Sequence, residues 1–243
     1  MSICVENVSY IYGKGTPFER AAIEDIDLTI DKGEFIGIIG HTGSGKSTLI
    51  QHLNGLLHPS MGKVTVDGVD LAEKTKEAMV KRHSVGMVFQ YPEHQLFEET
   101  VAKDIAFGPQ NQGCDEEETE KRVKSAMRFA GIDYETFAER SPFRLSGGQQ
   151  RRVAIAGVIA MHPDFLILDE PSAGLDPMGR REIFSRIQGW YKKGVFSVIL
   201  VSHNMDDIFL SCIRGVSSLT GSLWIFSSIT GRRSRNAVWK RRL

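Results

Sequence analysis

Residues 40–47 read Gly40-His41-Thr42-Gly43-Ser44-Gly45-Lys46-Ser47, and this stretch decides the fold. An apolar run at 35–39 precedes it, and a helical spacing of leucine and isoleucine that extends to Leu57 follows it. A strand, a glycine loop and a helix with the spacing GxxxxGK[ST] are typical of a phosphate-binding loop. An ordinary glycine-rich turn accounts for a lone pair of glycines but poorly for this complete pattern.

The residue types of this loop have physical reasons to lie near a polyphosphate. Glycines allow backbone N–H groups to turn inward, where a Cβ atom would obstruct the anion. The helix that follows presents the positive end of its dipole to the same point. Lys46 supplies a positive charge for the β- and γ-phosphates, and the Ser47 hydroxyl is placed for Mg²⁺. The stretch therefore predicts a polyphosphate site.

The composition of the 243 residues is that of a globular protein, with 41% apolar and 25% charged residues. This length fits one large domain or a domain with a subdomain. No apolar run approaches the ~20 residues that span a bilayer, and the first residues do not resemble a signal peptide. Three scattered cysteines, Cys4, Cys114 and Cys212, indicate reduced thiols in a cytosolic protein.

The formal net charge is zero, with 30 basic and 30 acidic residues, but the charges are unevenly distributed. Seven basic residues and no acidic residue follow Leu210, so the chain before that point has 23 basic residues against 30 acidic ones, a net charge of −7. An acidic body disfavours nucleic acid as the main partner.

Two carboxylates, Asp169 and Glu170, follow the apolar strand pattern at 165–168, and Pro171 stops that strand. In a phosphate-loop fold, Asp169 can hold Mg²⁺ through water, and Glu170 can orient or deprotonate the attacking water. The alternative is two acids at an exposed strand end. We favour the first interpretation because the carboxyl edge of the sheet is also where the phosphate loop opens.

Two further polar residues, Gln90 and His203, follow predicted strands at 84–89 and 195–201. From its position alone, Gln90 is a polar strand end that meets water. A lone histidine is usually structural, but His203 lies on the same predicted sheet edge as Lys46, within reach of a γ-phosphate.

Tyr12 follows the strand predicted at 3–9, close to a glycine-rich loop. Its ring is able to stack on an adenine or to fill the edge of a core, and the spacing does not separate these alternatives.

Leu145-Ser146-Gly147-Gly148-Gln149 opens another predicted helix. Ser146 with Gln149 fits a capping box. Two consecutive glycines in a first helical turn reduce helix stability, so something must require bare backbone there. That requirement favours a second helix start that faces phosphate.

Together these motifs resemble the ATP-binding subunit of an ABC transporter. The family's signature sequence stands at 145–149, its Walker B motif at 165–170 and its D-loop at 172–176. Gln90 matches its Q-loop glutamine, and His203 matches its switch histidine.

The resemblance covers residues 3 to about 210 and implies an α/β fold. The expected fold has a P-loop ABC ATPase core with a mixed, largely parallel sheet and helices. To this core it adds an N-terminal antiparallel β-subdomain and an α-helical signature subdomain at about 91–160. The expected ATPase domain is 1–210, and 211–243 is an atypical basic tail.

The resemblance also implies the ligands, ATP and Mg²⁺. ATP is expected on residues 40–48, from Gly40 through Thr48, with Tyr12 stacked on the adenine. Mg²⁺ is expected near Ser47, Gln90 and Asp169.

Four catalytic residues are implied in the same way. They are Lys46, Gln90, Glu170 and His203. The signature residues, Ser146 through Gln149, are expected to close on the nucleotide of a partner subunit.

A narrower resemblance is to the ATPases of energy-coupling factor vitamin transporters, and to the second of their two ATPases more than the first. It is carried by four segments, residues 15–19, 92–101, 106–109 and 141–144. It implies a heterodimer of ATPases, or a homodimer as the alternative, under a transmembrane T component with substrate-binding S components. The chain is then peripheral, on the cytoplasmic face of the cell membrane.

The pattern departs from the family after Asp207. The family continues with a helix, an apolar β-hairpin and a C-terminal region, and the sequence from Ser211 predicts neither hairpin nor extension. We interpret the abrupt loss of acidic residues as a truncated or altered reading frame that begins near 209–212, and the alternative is a divergent tail.

Three functions therefore compete. The first is a transport ATPase of the energy-coupling factor type, or of another ABC importer such as one for metal ions. The second is a soluble ABC protein that acts on ribosomes or DNA, which usually needs two cassettes or a long coiled coil. The third is an impaired remnant that binds nucleotide at most.

Overall fold

The computed structural model describes residues 1–204, 206–207, 216–220 and 223–227. The strands are β1 (Ser2–Tyr12), β2 (Arg20–Asp31), β3 (Phe35–Gly40), β4 (Met61–Val66), β5 (Val69–Asp70), β6 (Val85–Val88), β7 (Phe165–Asp169), β8 (Ser197–Ser202), β9 (Val216–Thr220) and β10 (Leu223–Ser227). The α-helices are α1 (Lys46–Leu53), α2 (Lys76–His83), α3 (Val101–Asn111), α4 (Glu116–Ala130), α5 (Tyr134–Phe137), α6 (Gly147–Ala160) and α7 (Pro177–Lys192). Two short 3₁₀ turns lie at Pro92–Gln95 and Pro142–Arg144.

A six-stranded mixed sheet forms the centre of the molecule, in the order β6-β7-β8-β3-β10-β9. The first four strands are parallel, and β10 and β9 are antiparallel additions beside β3. The carboxyl ends of β3, β6, β7 and β8 therefore meet at one edge, which is where ligands bind in open α/β sheets.

Alternate residues of the parallel strands face two different cores, because side chains alternate across a strand. Leu166 and Leu168 of β7 pack in a core with α3, α4, α6 and α7. Phe165 and Ile167 of the same strand pack in a second core with α1 and the four-stranded sheet. Burial on both faces explains why these strands read as continuous apolar runs.

The second sheet is antiparallel, in the order β2-β1-β4-β5. It covers the α1 side of the central sheet and supplies residues to the same core. The two sheets and the helices agree with the predicted α/β fold, including its N-terminal antiparallel part and its helical part.

Local contacts define several helix ends. Asp115 caps α4 by accepting a hydrogen bond from the N–H of Glu118, and Gly131 ends that helix with φ 72°. Asp176 caps α7 in the same way, through the N–H of Gly179 at 2.7 Å. In each case the capping residue and its partner are three positions apart, so one short stretch of sequence contains the whole contact.

Two helices end at residues that their local sequence does not indicate. The pattern from Leu49 to Leu57 predicted one helical face, but α1 ends at Leu53, because Gly55 takes a left-handed conformation, and Leu56 is exposed. Helix α3 passes through Gly108-Pro109, a pair that usually follows a helix end, and continues to Asn111. Proline in a last turn removes one backbone donor without blocking the remaining turn.

The C-terminal strands correct another expectation. The sequence predicted no β-hairpin after Asp207, but β9 and β10 form an antiparallel pair at the edge of the central sheet. Strand β10 pairs with β3 from Leu223 opposite Gly40 to Ser227 opposite Ile36. The rest of the predicted basic tail, 211–215, 221–222 and 228–243, lies outside the described residues. No helix among the described residues is both long and apolar enough to cross a membrane.

Candidate active site

A cleft of about 430 Å³ opens at the carboxyl edge of the parallel strands. The residues that line it are Tyr12, Arg20, Ala21, Ala22, Thr42, Gly43, Gly45, Lys46, Ser47, Thr48, Gln90, Asp169, Glu170 and His203. The fold thus brings together side chains from β1, β2, the loop after β3, α1 and the ends of β6, β7 and β8. Most residues predicted for nucleotide, metal and catalysis are in this one set.

The phosphate loop holds a conformation that only glycine adopts without strain at two positions. Gly43 and Gly45 have φ 83° and 89°. A Cβ atom on Gly45 would lie 2.6 Å from the carbonyl oxygen of Ala22 and 2.7 Å from the Ile23 side chain. The close approach of β2 to the start of α1 therefore requires glycine there.

Two polar groups of this loop fit an anion. The Lys46 ammonium is buried and donates hydrogen bonds to the carbonyls of Gly40 at 2.5 Å and His41 at 3.0 Å. The Ser44 hydroxyl is buried and has no hydrogen-bond partner among the described residues. A buried cation and an unpartnered hydroxyl beside a helix N-terminus suit the oxygens of a phosphate.

Oxygen donors for a divalent cation meet beside this loop. The Ser47 hydroxyl lies 3.4 Å from Oδ2 of Asp169, and Gln90 lines the same cleft. Among the described residues, no three acidic, histidine or cysteine side chains are grouped to hold a metal alone. This donor set fits Mg²⁺, which is commonly bound by one or two carboxylates together with water and substrate phosphates.

The Asp169 carboxyl is in an unfavourable place for a negative charge. Burial, as the largest cause, and the neighbouring Glu170 carboxylate together raise its pKa from 3.8 to about 6, against the opposing effects of the Ser47 hydrogen bond and of Lys46. A cation held at this point would relieve the same repulsion and desolvation.

Glu170 and His203 form a pair at the tips of β7 and β8. Nδ1 of His203 lies 2.8 Å from Oε2 of Glu170. The Glu170 side chain is 11% exposed and that of His203 is 66% exposed. Glu170 also has a φ of 48°, which is uncommon for a residue with a Cβ and is frequent at functional sites. The carboxylate is held in place by the sheet, whereas the imidazole faces the open cleft.

Tyr12 and Arg20 stand on the opposite wall of the cleft. They are direct partners in the antiparallel pairing of β1 and β2. Tyr12 is 43% exposed, which favours a ligand-facing ring over a core edge. No motif in the sequence marks Arg20 for this site, because only the register of β1 against β2 brings this residue beside Tyr12.

The signature residues lie elsewhere. All four, Ser146 to Gln149, are described residues, and none of them lines the cleft. The predicted capping box is present: the Ser146 hydroxyl accepts from the N–H of Gln149, and the Gln149 side chain accepts from the N–H of Ser146. A Cβ atom on Gly147 or Gly148 would meet nothing within 4 Å. No contact within the described chain explains these two glycines.

Comparison with known proteins agrees with this geometry. The ABC transporter family profile matches residues 23–173. The chain belongs to the ABC transporter family. It is 58% identical over 208 residues to the energy-coupling factor transporter ATP-binding protein EcfA2 of Clostridium tetani, covering 86% of this chain and 72% of that one. It is 60% identical to the protein of the same name from Caldanaerobacter subterraneus, again over 86% of this chain and 72% of that one.

Solved ABC structures share the fold. The protein cbiO1 of Clostridium perfringens, part of the ABC transporter complex cbiONQ, is 41% identical with a TM-score of 0.75, over 86% of this chain and 81% of that chain. A dimeric bacterial ABC transporter cassette, MJ0796, is 29% identical with a TM-score of 0.73, over 86% of this chain and 91% of that chain. The predicted family, the α/β fold and the function class, an ATPase subunit of the energy-coupling factor type, are confirmed.

Two buried charged residues connect the motifs of this ABC ATPase. Neither was predicted from the sequence as a site residue. Arg151 in the signature helix α6 is 5% exposed. Its guanidinium donates to both carboxylate oxygens of Glu93, at 3.0 and 3.1 Å, and to the carbonyls of Pro171 and Ala173, at 3.2 and 2.9 Å. One side chain thus joins α6 to the turn after Gln90 and to the segment after Glu170. An arginine within an apolar helix pattern was the available signal.

Asp207 makes the second connection. Its carboxylate is 2% exposed and accepts from the Ser202 hydroxyl at 2.7 Å, the Ser172 hydroxyl at 3.1 Å and Arg180 Nε at 2.5 Å. It therefore ties the tip of β8, which carries His203, to the start of the D-loop and to α7. No local pattern predicts this contact, because its partners are up to 35 positions apart.

Proposed function

We propose that this chain binds ATP with Mg²⁺ in the cleft and hydrolyses it as one of two ATPase subunits of an energy-coupling factor importer. The observation that carries the proposal is the convergence of Lys46, Ser47, Asp169, Glu170 and His203 on one cleft beside a glycine loop. These five side chains come from three separate parts of the chain. A phosphate-binding lysine, oxygen ligands for Mg²⁺ and a residue that orients the attacking water are recurring parts of sites for phosphoryl transfer.

Each part of the nucleotide has a proposed set of residues. The backbone of residues 40–48 and Lys46 bind the phosphates, and Tyr12 stacks on the adenine. The Ser47 hydroxyl, Asp169 and Gln90 would hold Mg²⁺, and the bound ion would supply positive charge that stabilises the phosphates.

Glu170 and His203 act on the attacking water and the terminal phosphate. The water oxygen attacks the γ-phosphorus, the bond from that phosphorus to the bridging oxygen breaks, and ADP leaves with the electron pair. Glu170 is the buried carboxylate that orients this water and accepts its proton. His203, which is exposed at the cleft, donates a hydrogen bond to the γ-phosphate.

A second ATPase subunit completes the site in this proposal. The signature helix start is remote from the chain's own cleft, and its glycines have open space around them. Ser146 to Gln149 would therefore face the γ-phosphate bound by a partner, in a heterodimer or a homodimer. The solved cassette named above is itself described as dimeric.

The segment after Gln90 is the proposed contact with a transmembrane T component. Phe97 and Phe107 are 56% and 45% exposed, and their rings meet edge to face at 4.9 Å. Paired aromatic rings at a surface are typical of contact sites. Glu93, in the same segment, is anchored to Arg151, so a shift here is transmitted to the signature helix. With S components bound to the T component, the chain would sit peripherally on the cytoplasmic face of the membrane.

The decisive experiment is Glu170→Gln in the assembled transporter. Equilibrium ATP binding should persist, because the amide keeps the shape of the side chain, while phosphate release should fall at least about 100-fold with the loss of the base. Glu117→Gln on the exposed face of α4 is the matched control and should leave both quantities unchanged. Undiminished phosphate release from Glu170→Gln would refute the assigned role.

The partners are tested by purification of the tagged chain from membranes. A second ATPase and membrane-embedded T and S subunits should co-purify with it. Recovery with ribosomes or DNA, and without membrane subunits, would contradict the transport function.

A further inference from the structure

His52 is a buried polar residue that the catalytic proposal does not use. It lies in α1, six positions after Lys46, and its side chain is 0% exposed. Nδ1 lies 2.7 Å from the carbonyl oxygen of Thr48. Since a carbonyl only accepts, Nδ1 carries the proton and donates it. Nε2 is buried and has no hydrogen-bond partner among the described residues.

The His52 imidazole also packs against an aromatic ring. The His52 and Tyr10 ring centroids are 4.8 Å apart at an interplanar angle of 70°. The Tyr10 and Tyr12 rings are also 4.8 Å apart, at 87°. Tyr10 and Tyr12 share one face of β1, because alternate residues of a strand point the same way. His52, Tyr10 and Tyr12 thus form a continuous edge-to-face series, which we call the ring series.

A second contact fixes the outer ring to the same helix. The Tyr12 hydroxyl lies 3.3 Å from the Thr48 hydroxyl. Thr48 therefore holds His52 through its carbonyl and Tyr12 through its side chain. Both ends of the ring series are tied to one turn of α1.

We propose that His52 is a positioning residue for the base of the nucleotide, acting through Tyr10 on Tyr12. The inference rests on the proposed function, since it requires that Tyr12 stacks on the base. The start of α1 holds the phosphates, and His52 lies about 9 Å further along the helix axis. One rigid helix then sets both the phosphate subsite and the angle of the ring that meets the base.

The chemistry of histidine suits this role better than an apolar side chain does. Leucine would fill the space but present no flat face to Tyr10. Phenylalanine would present a ring but lack the N–H that fixes its rotation against Thr48. The hydrogen bond selects one ring orientation, and that orientation is passed along the ring series because edge-to-face pairs prefer a narrow geometry.

The test compares binding of ATP and of inorganic tripolyphosphate, each with Mg²⁺, to the full chain by calorimetry. His52→Leu should weaken ATP about 3- to 10-fold, a fraction of the loss from removing a stacking ring, and change tripolyphosphate less than about twofold. In a Tyr12→Leu background, His52→Leu should weaken ATP affinity by less than about a further twofold, since the ring that His52 positions is no longer present. In the assembled transporter, KM for ATP should rise with kcat unchanged.

Ile50→Val is the matched control, because it creates a small cavity in the same helix and leaves all three rings in place. It should lower stability without changing the ratio of ATP to tripolyphosphate affinity. Equal weakening of both ligands by His52→Leu, unchanged ATP affinity, or full additivity with Tyr12→Leu would overturn the proposal. Should His52→Leu fail to fold, His52→Phe decides the question, and unchanged ATP affinity would overturn it. If Tyr12→Leu leaves ATP affinity unchanged, that result would instead refute the stacking of Tyr12 on the base.

Discussion

Two helices of this ABC ATPase begin with glycines, and the two starts have different explanations. At the start of α1, Gly43 and Gly45 have positive φ values, and a Cβ on Gly45 would collide with β2. At the start of α6, Gly147 and Gly148 have neither a positive φ nor a neighbour within 4 Å of a Cβ. The first pair is required by the chain itself. Among the described residues, nothing requires glycine at the second pair.

This difference separates two kinds of site. The α1 start has polar groups of its own chain around it, since the loop, Lys46, Asp169 and Glu170 all line the same cleft. The α6 start has a satisfied cap, and within the part of the chain that the structure describes its residues do not line the cleft. A helix N-terminus with bare backbone suits an anion, and the proposed anion is the nucleotide of a partner subunit.

The largest effect is expected for Gly45→Ala. The added Cβ would lie 2.6 Å from a backbone oxygen, so the loop or β2 must move, and ATP affinity should fall at least about 100-fold. Titration calorimetry measures the loss. Gly33→Ala is the control, because Gly33 has φ 87° but open space, and it should cost about 1–2 kcal/mol of stability with ATP affinity kept. Normal ATP binding by Gly45→Ala would show that β2 does not fix the loop.

A smaller effect is expected for Asp169→Asn, measured as the free energy of unfolding without nucleotide. The pKa of Asp169 is raised to about 6 in the folded chain, from 3.8, so its ionised form destabilises the fold. The amide should therefore stabilise the chain at pH 8 by up to about 3 kcal/mol, since one pKa unit is about 1.4 kcal/mol. The gain should shrink as pH falls through 6 towards 4, where the native carboxyl is protonated. A gain that does not depend on pH would contradict this account.

Gly148→Ala tests the second helix start directly. Alanine is the better helix former, so the isolated chain should gain a few tenths to about 1 kcal/mol in stability. ATPase activity of the assembled complex should nevertheless fall about tenfold, because the Cβ would enter the space of the partner's phosphate. Gly189→Ala in α7 is the matched control, a helical glycine with the same open surroundings. It should give the gain in stability with full ATPase activity, and a Gly148→Ala complex as active as that control would remove the proposed role.

The smallest effect is expected for Ser146→Ala. The cap is formed, with the hydroxyl 3.4 Å from the N–H of Gln149, so its loss should cost about 1 kcal/mol of stability. Thermal unfolding of the isolated chain measures this cost. A slower ATPase in addition would mean that the hydroxyl also reaches the partner's nucleotide. An unchanged melting curve would show that the cap contributes nothing.

Sequence reasoning predicted the local features of both sites. The phosphate loop and the capping box of Ser146 depend on residues within a few positions of one another. It failed where distant segments decide the outcome. Arg20 reaches the cleft only through its pairing with Tyr12, and Arg151 is buried only because three segments converge on it.

The order of residues along the chain was sufficient to establish the family, the α/β fold and the residue types of the cleft, because glycine loops, helix caps and buried strands leave short-range patterns. Tertiary structure alone decided that Glu170 meets His203, that Asp207 ties the D-loop to β8, and that the rings of His52 and Tyr12 both contact Tyr10. It also decided that β9 and β10 extend the central sheet. The physical reason is that strand register and side-chain packing depend on groups far apart in the chain, and no local pattern records which of them will touch.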